Sequence, residues 1–273
     1  MSETNYQPLS AEKPDWGEIS LLSWDSEVFG FPVANYKPGQ PSAVLKDLTE
    51  IGRALKNWAR ENGVELIGCS ISTTEPMWRL SLPRLGFLFV DTTLTYTMPR
   101  LQRAKFPRSH VVRMATLEDQ ASVERIAEHV FHAGRYHADP LFPRALANLR
   151  FRRWLEKAFA SLGPASRVYV TSGPGPVTAF THSKVEGDYA YITIGGAEPE
   201  LQASGGGAAF FFGTLEALRD SGVRRAQSKL SASNTPMLNL AAYAGSRFSE
   251  PEHAYHWHAP DARHLLEAKS ITR

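Results

Sequence analysis

One stretch of this chain repeats, and the repeat limits what the chain can fold into more than any other feature. GVELIGCSISTTEPMWRLSLPRLGFLF begins at Gly63 and GVRRAQSKLSASNTPMLNLAAYAGSRF begins at Gly222, so one offset of 159 residues (222 − 63) relates them without a gap. Under it Val64 meets Val223, Ile71 meets Leu230, Ser72 meets Ser231, Gly86 meets Gly245 and Phe89 meets Phe248. Just upstream, Arg60 and Glu61 meet Arg219 and Asp220. Self-similarity at a fixed period marks copies of one supersecondary unit. Each copy reads helix, strand, short helix, Gly, strand, and RLQRAKFPRSH joins the two. The predicted class is therefore α/β with two related lobes. A flexible tail is expected over 1–18, a first lobe over 19–105, a second lobe over 110–260 and a C-terminal tail over 261–273.

The lobes differ at one place. From Ile192 to Ala208, ITIGGAEPELQASGGGA takes an apolar strand into a glycine-rich turn that opens into a helix. Ala208, Phe211, Phe212, Leu215 and Leu218 recur at helical spacing, and Gly222 suits a left-handed residue past the helix end. Gly205, Gly206 and Gly207 then stand at a helix N-terminus, where unpartnered amides, the macrodipole and missing side chains together admit an anion. The plainer alternative is a flexible loop that contains glycines. A P-loop would need Lys and then Ser or Thr where Ala208 and Ala209 stand. A dinucleotide fingerprint would need a small residue at Phe210 and a carboxylate in the next strand, and RRAQSKLSAS has none. In the first lobe the helix predicted from Ser42 to Asn62 is preceded by KPGQP, one glycine and two prolines in place of free amides. That lobe is expected to extend the sheet or shape a second substrate's cleft.

What remains is Gln202, Gly205 and Gly207 in the spacing Q-x-x-G-x-G, preceded by Ala197, Glu198 and Pro199. Here the chain resembles the GNAT superfamily of N-acetyltransferases, whose pyrophosphate loop reads Q/R-x-x-G-x-G/A after a strand ending in a small apolar residue, x and Pro. The resemblance implies a GNAT fold in both lobes, with mixed, mostly antiparallel sheets and a degenerate N-terminal lobe. It also implies acetyl-CoA as co-substrate, bound by Ile194, Gly195, Gly196 and Ala197 of the strand, by Gln202, Ala203, Ser204, Gly205, Gly206, Gly207 and Ala208 of the loop, and by Asn234. Gly195 and Gly196 also read as a bulge, and Asn234 as an N-cap. LLSWDSEVFGFPVA and FHAGRYHADPLFPRALANLRFRRW look like the dTDP-fucosamine acetyltransferases of surface-polysaccharide pathways. That likeness implies a small-molecule amine as acceptor, with a dTDP-4-amino-4,6-dideoxyhexose as the specific expectation. Trp24, Asp25, Phe29 and Gly30 read as lobe packing. Arg135, Tyr136, His137 and Asp139 form a polar, aromatic loop and are the acceptor-site candidates, the first three as substrate-binding residues, since an Arg can hold a diphosphate through paired hydrogen bonds; the alternative is a loop with an Asp-Pro turn leading into a helix.

Acetyl transfer also needs a proton for the departing thiolate. Family members carry a Tyr seven residues after the Asn, and here that residue is Ala241. Tyr243 is the catalytic candidate nearby, but two helical positions turn a side chain by about 200°. A catalytically weak or inactive acyl-CoA-binding relative is therefore one alternative, and an acyltransferase on another amine is a second. Glu198 and His182 have no assigned role, the first reading also as an exposed turn residue and the second as a surface histidine.

His256 and His258 alternate onto one strand face and Trp257 onto the other, but no further ligand stands out, so no metal is expected and the pair reads as satisfied or exposed. The single Cys69 excludes an internal disulfide and suits a reducing cytoplasm, or is a small buried strand residue. The N-terminus lacks a basic start followed by an apolar segment, no apolar run is long enough for a bilayer, and a net charge of +2 without a long Lys/Arg tract gives no nucleic-acid surface. Neither a membrane nor a nucleic acid is an expected partner, the expected location is the cytoplasm, and a homodimer is left open.

Overall fold

A computed structural model describes residues 5–103 and 111–265. Residues 104–110 of the predicted linker and 266–273 of the predicted C-terminal tail lie outside the described residues. In chain order the elements are β1 (Gln7–Pro8), β2 (Gly17–Leu21), α1 (Ser23–Phe29), β3 (Val33–Pro38), α2 (Pro41–Glu61), β4 (Leu66–Ser72), α3 (Pro76–Ser81), β5 (Leu88–Met98) and β6 (Val112–Met114). There follow α4 (Gln120–His129), α5 (Arg135–Ala138), α6 (Arg144–Ala160), β7 (Ser166–Thr171), β8 (Ala179–Glu186), β9 (Tyr189–Ala197) and α7 (Pro199–Ala203). The chain closes with α8 (Gly206–Asp220), β10 (Arg225–Ser231), α9 (Thr235–Tyr243), β11 (Arg247–Phe248) and β12 (Glu252–His258).

The repeat is carried into the elements themselves. β4 and β10, α3 and α9, and β5 and β11 each start 159 residues apart (225 − 66), and α2 and α8 end at the paired residues Glu61 and Asp220. Gly63 and Gly222, then Gly86 and Gly245, all have positive φ, at 61°, 96°, 93° and 76°. Each ends a helix by a left-handed turn into the next strand, a conformation that costs other residues about 1–2 kcal/mol.

Two compact units divide the chain. The first takes residues up to Thr93, Gly134–Ala147 and the residues from Glu250 onward; the second takes Leu94–Ala133 and Asn148–Ser249. The units interleave, whereas consecutive lobes are the expectation from sequence. In the first unit the sheet order is β1-β2-β3-β4-β12-β5, with β3 and β4 parallel and the other pairs antiparallel. α2 lays Ile51, Leu55 and Ala59 against Ile67, Cys69, Trp78 and Trp257. Cys69 is buried, which pushes its thiol pKa well up and favours the packing reading. Residues 7–18, expected in a flexible tail, instead belong to this unit: β1 pairs with β2, and Trp16 is buried with its backbone carbonyl accepting from the Tyr36 hydroxyl at 2.5 Å. An aromatic side chain with an apolar surface to cover holds that segment down. Trp24 is only partly buried, but Phe29 and Asp25 are buried here, as a packing role requires.

In the second unit the order is β5-β10-β9-β8-β7-β6, with β11 on β5 and β9 parallel to β10. One core cluster joins α8 to the sheet through Phe211, Phe212, Leu215 and Leu218. Another joins α4 and α6 to it through Ile126, Leu155, Phe159 and Phe180. The repeat exposes an exchange. β12 is the offset image of residues 93–99, the second half of β5. Yet β12 completes the first unit between β4 and β5, while the second half of β5 lies in the second unit. Equivalent strands have changed places. Among the described residues no helix is long and apolar enough to cross a membrane.

Candidate functional site

The second unit opens its sheet beside the glycine loop. β8 pairs with β9 from Tyr189 to Ala197, but β10 stays in register with β9 only over Tyr189, Ala190 and Tyr191. The shift in register between β8 and β9 leaves Thr193 as the extra residue, opposite His182 and Ser183. A bulge bends a strand and increases its local twist. Beyond it Ile194, Gly195, Gly196 and Ala197 have β8 on one side and no strand pairing on the other among the described residues. The bulge therefore lies at Thr193, ahead of the paired glycines. Gly196 is needed for a different reason: a Cβ there would stand 2.7 Å from Val130 Cγ2 and 3.3 Å from the Phe180 ring.

The loop has a tighter build than a single turn. Pro199 to Ala203 form α7, which the sequence does not announce, and Gln202 reaches back from it to donate Nε2–H to the Ala197 carbonyl at 2.6 Å. Ser204 caps α7 and donates its hydroxyl to Leu201 O. Gly205 has φ 79° as N-cap of α8, with nothing within 4 Å of where a Cβ would stand. Gly206, Gly207 and Ala208 form the first turn of α8; the Ala208 N–H donates to the Gly205 carbonyl at 3.2 Å, and the N–H groups of Gly206 and Gly207 precede the first such bond. At Gly206 a Cβ would lie 2.4 Å from Leu201 Cδ1 and 3.2 Å from the Leu201 carbonyl, so a larger residue there would displace the Leu201 side chain. The open side of Gly205 and the amides of Gly206 and Gly207 make a concavity suited to an anion. In the first unit the offset images of these glycines are Lys46, Asp47 and Leu48 inside α2, rather than KPGQP.

Asn234 caps α9, its side-chain oxygen accepting from Met237 N at 3.3 Å. Ala241 is fully buried in the core, and Tyr243, 72 % exposed, rests its ring on Phe212 at 5.5 Å. The two helical positions thus face apart, as the helix period requires.

The sequence gives Glu198 no role, yet it is held on both sides. Arg125 Nη1 donates to Oε1 at 3.0 Å, and His129 Nε2 lies 2.8 Å from Oε2. Arg125 and His129 are four apart on α4 and so share a face. A helical i, i+4 basic pair was the available signal, but sequence does not show that Glu198 meets it. His182 is buried, against the surface reading, with Thr193 Oγ1 2.6 Å from Nδ1 and Ser166 Oγ 3.1 Å from Nε2. Burial, with Lys184 adding to it, pushes its pKa down to about 4.

The expected acceptor residues lie in the first unit, where Arg135, Tyr136 and His137 form α5, a helical turn in place of the expected loop. Tyr136 is buried against Phe29 and Phe142 and donates its hydroxyl to Asp25 at 3.2 Å, with Arg135 3.8 Å from the same carboxylate. His256 is also buried and the His258 side chain is 4 % exposed, and both meet Asp139, expected at the acceptor site and not as their partner: its Oδ2 stands 2.6 Å from His256 Nδ1 and 2.9 Å from His258 Nε2. Burial pushes His256 down to about 4 against the opposing pull of Asp139. Burial raises Asp139, but hydrogen bonds from the two imidazoles hold it well below the usual carboxylate range.

No family model matches the sequence, and no curated protein matches it. Solved structures match the fold. A GCN5-related N-acetyltransferase from Sphaerobacter thermophilus is 13% identical, with TM-score 0.63 over 89% of this chain and 76% of its own. A functionally unknown conserved protein from Staphylococcus epidermidis is 12% identical, with TM-score 0.63 over 94% and 95%. A tandem GNAT protein from the clavulanic acid biosynthesis pathway is 15% identical, with TM-score 0.53 over 85% and 77%. At these identities the likeness is one of architecture. The chain has the GNAT fold, in a mixed α/β arrangement that it builds twice.

Proposed function

We propose that the protein is an acetyl-CoA-dependent N-acetyltransferase acting on the amine of a small molecule. The observation that carries this is the coincidence, in one unit, of an opened β9 edge and a helix that begins at Gly206 behind a left-handed Gly205. Amides at Gly206 and Gly207 would hold the pyrophosphate, Gln202 would brace the loop against Ala197, and the amides of Ile194 to Ala197 would bind the extended arm of the donor. Bound acetyl-CoA supplies an activated thioester. Glu198, bracketed by Arg125 and His129, would accept a proton from the incoming amine, with His129 to pass it on. Tyr243 is the exposed hydroxyl on the helix that Asn234 caps.

The specific acceptor we propose is a dTDP-4-amino-4,6-dideoxyhexose, on the likeness of its N-terminal and Phe131–Trp154 segments to fucosamine acetyltransferases. A second reading, a binding protein with weak or no transfer, draws on Ala241 being a buried side chain without a hydroxyl.

Calorimetry with acetyl-CoA tests the donor, and thiol release over a panel of amines tests the transfer. A Gly205→Glu, Gly207→Glu variant should weaken binding at least about 100-fold, since carboxylates would repel the phosphates and fill the concavity. Absence of binding to the wild type overturns the proposal, and binding without thiol release for any amine decides for the second reading.

A further inference from the structure

The first unit contains a constellation that acetyl transfer does not use. Asp139 comes from the segment between α5 and α6, and His256 and His258 from one face of β12. Their side chains are 0 %, 1 % and 4 % exposed, and each offers one ligand atom, all within 4.8 Å of one another. An outer ring of contacts holds them. His258 Nδ1 lies 2.8 Å from His264 Nε2, and His264 stacks on Phe31 at 5.0 Å. The second oxygen of Asp139 accepts from Leu141 N at 2.9 Å. His256 lies over Tyr136, ring centres 5.2 Å apart.

Hydrogen bonding alone does not complete this cluster. If Asp139 Oδ2 accepts from both imidazoles, His256 carries its lone pair on Nε2, which is buried without a hydrogen-bond partner and stays so in either tautomer, so the outer contacts of His258 decide the matter. His258 Nδ1 must then accept from His264, which turns the His264 Nδ1 lone pair toward Glu65 Oε2 at 3.6 Å, and that nitrogen is also buried without a partner. Glu65 is already engaged by Arg263, through its backbone N–H at 2.8 Å and Nε at 2.6 Å. Two imidazoles meeting one buried carboxylate, with a further group orienting the outer nitrogen of one ring, is the donor set and the outer shell of a transition-metal site.

We propose that Asp139, His256 and His258 bind one divalent transition-metal ion of the zinc class, with His264 orienting His258. Bonds of about 2.0–2.2 Å in a tetrahedral arrangement place ligand atoms about 3.3 Å apart, so the two Asp139 contacts need to open by less than about 1 Å. Each imidazole binds the ion as its other neutral tautomer, the proton moving from the nitrogen that faces Asp139 to Nε2 of His256 and to Nδ1 of His258, from which it is donated to His264 Nε2, and the ion's charge is met in part by the buried Asp139 carboxylate. It also ties β12 to the Asp139 segment, two pieces of the first unit that are far apart in sequence.

The test uses the full chain, stripped with a chelator and titrated with Zn²⁺ by calorimetry and with Co²⁺ by visible absorption. The expected result is one equivalent of zinc, a ligand-field spectrum of low coordination number with cobalt, and a thermal midpoint several degrees higher with zinc than with chelator. Asp139→Asn and His258→Gln should each weaken zinc binding at least about 100-fold, while His253→Gln, on the same strand but outside the cluster, should bind as the wild type does. Failure of the wild type to bind zinc at millimolar concentration overturns the proposal, as does unchanged affinity in either ligand variant. If those variants do not fold by circular dichroism, the cobalt spectrum of the wild type decides: a six-coordinate aquo-type spectrum overturns the site.

Discussion

Gly205–Gly207 in the second unit and Lys46–Leu48 in the first are the same stretch of the repeat built in two ways. In the second unit a left-handed glycine separates α7 from α8 and exposes a new helix start. In the first, α2 runs on from Pro41 to Glu61, interrupted only at Asp47 with φ −121° and ψ 20°. The Asp47 carboxylate accepts the Trp16 indole N–H at 3.1 Å, so a negative group stands where the other unit leaves room for one. The strands differ in the same sense. β3 is paired with β4 over Val33–Tyr36, and the offset images of these residues, 192–195, are where β9 has left β10. On the function proposed above, the first unit would lack a donor site through two local differences on a shared scaffold: a helix that does not break and a parallel pair that does not open. The repeat preserves packing, and the proposed site resides in the departures from it.

The comparison can be broken at several points. Ending the chain at Ser249 removes β12 from between β4 and β5, and we expect the first unit to lose its cooperative unfolding transition outright, as read by circular dichroism and limited proteolysis. A full transition in that truncation would show that the exchange is decorative. Gly39→Ala should cost about 3 kcal/mol or more in urea, since its Cβ would stand 2.0 Å from Asp15 O, whereas Gly205→Ala has open space and should cost only about 1–2 kcal/mol of left-handed strain. Equal losses would mean that the second loop is as closed as the first.

His182 gives a pH-dependent test of the opened strand. Its folded pKa of about 4 lies below its ordinary value of 6.5, so the unfolded chain binds more protons between those limits. Its contribution is complete above pH 6.5 and declines as pH falls toward 4, by on the order of 3 kcal/mol. His182→Gln should flatten the stability profile by that amount in that window, and an unchanged profile would remove His182 from the account. The smallest effect is expected for Asp47→Asn: donor stoichiometry by calorimetry should remain one per chain, because β3 stays paired with β4. A second equivalent would show that charge alone closes the first unit.

Much of this was legible from local signals. Gly63, Gly86, Gly222 and Gly245 punctuate both copies, and the offset between them carries directly into strand and helix limits. The glycine run located α8 because helix starts depend on nearby residues. Three things were not legible for a common reason. Alternation of polar and apolar residues gives β12 two faces but does not say which sheet receives it. His256 and His258 meet a carboxylate from a segment more than a hundred residues earlier, and no periodicity links them. Thr193 becomes a bulge only because of its register with β8. Each is a fact of long-range pairing.

The exchanged strand also imposes an order of events on a ribosome. β4 and the first half of β5 are made early, but the strand that fills the space between them is made about 180 residues after β4 ends. At about 5–20 residues per second, the nascent first unit waits roughly 10–40 s with two unpaired edges. Such edges invite pairing with other chains. The second unit, by contrast, receives its borrowed half of β5 before most of its own strands exist. Newly made chains should therefore depend on chaperones for the half that emerges first.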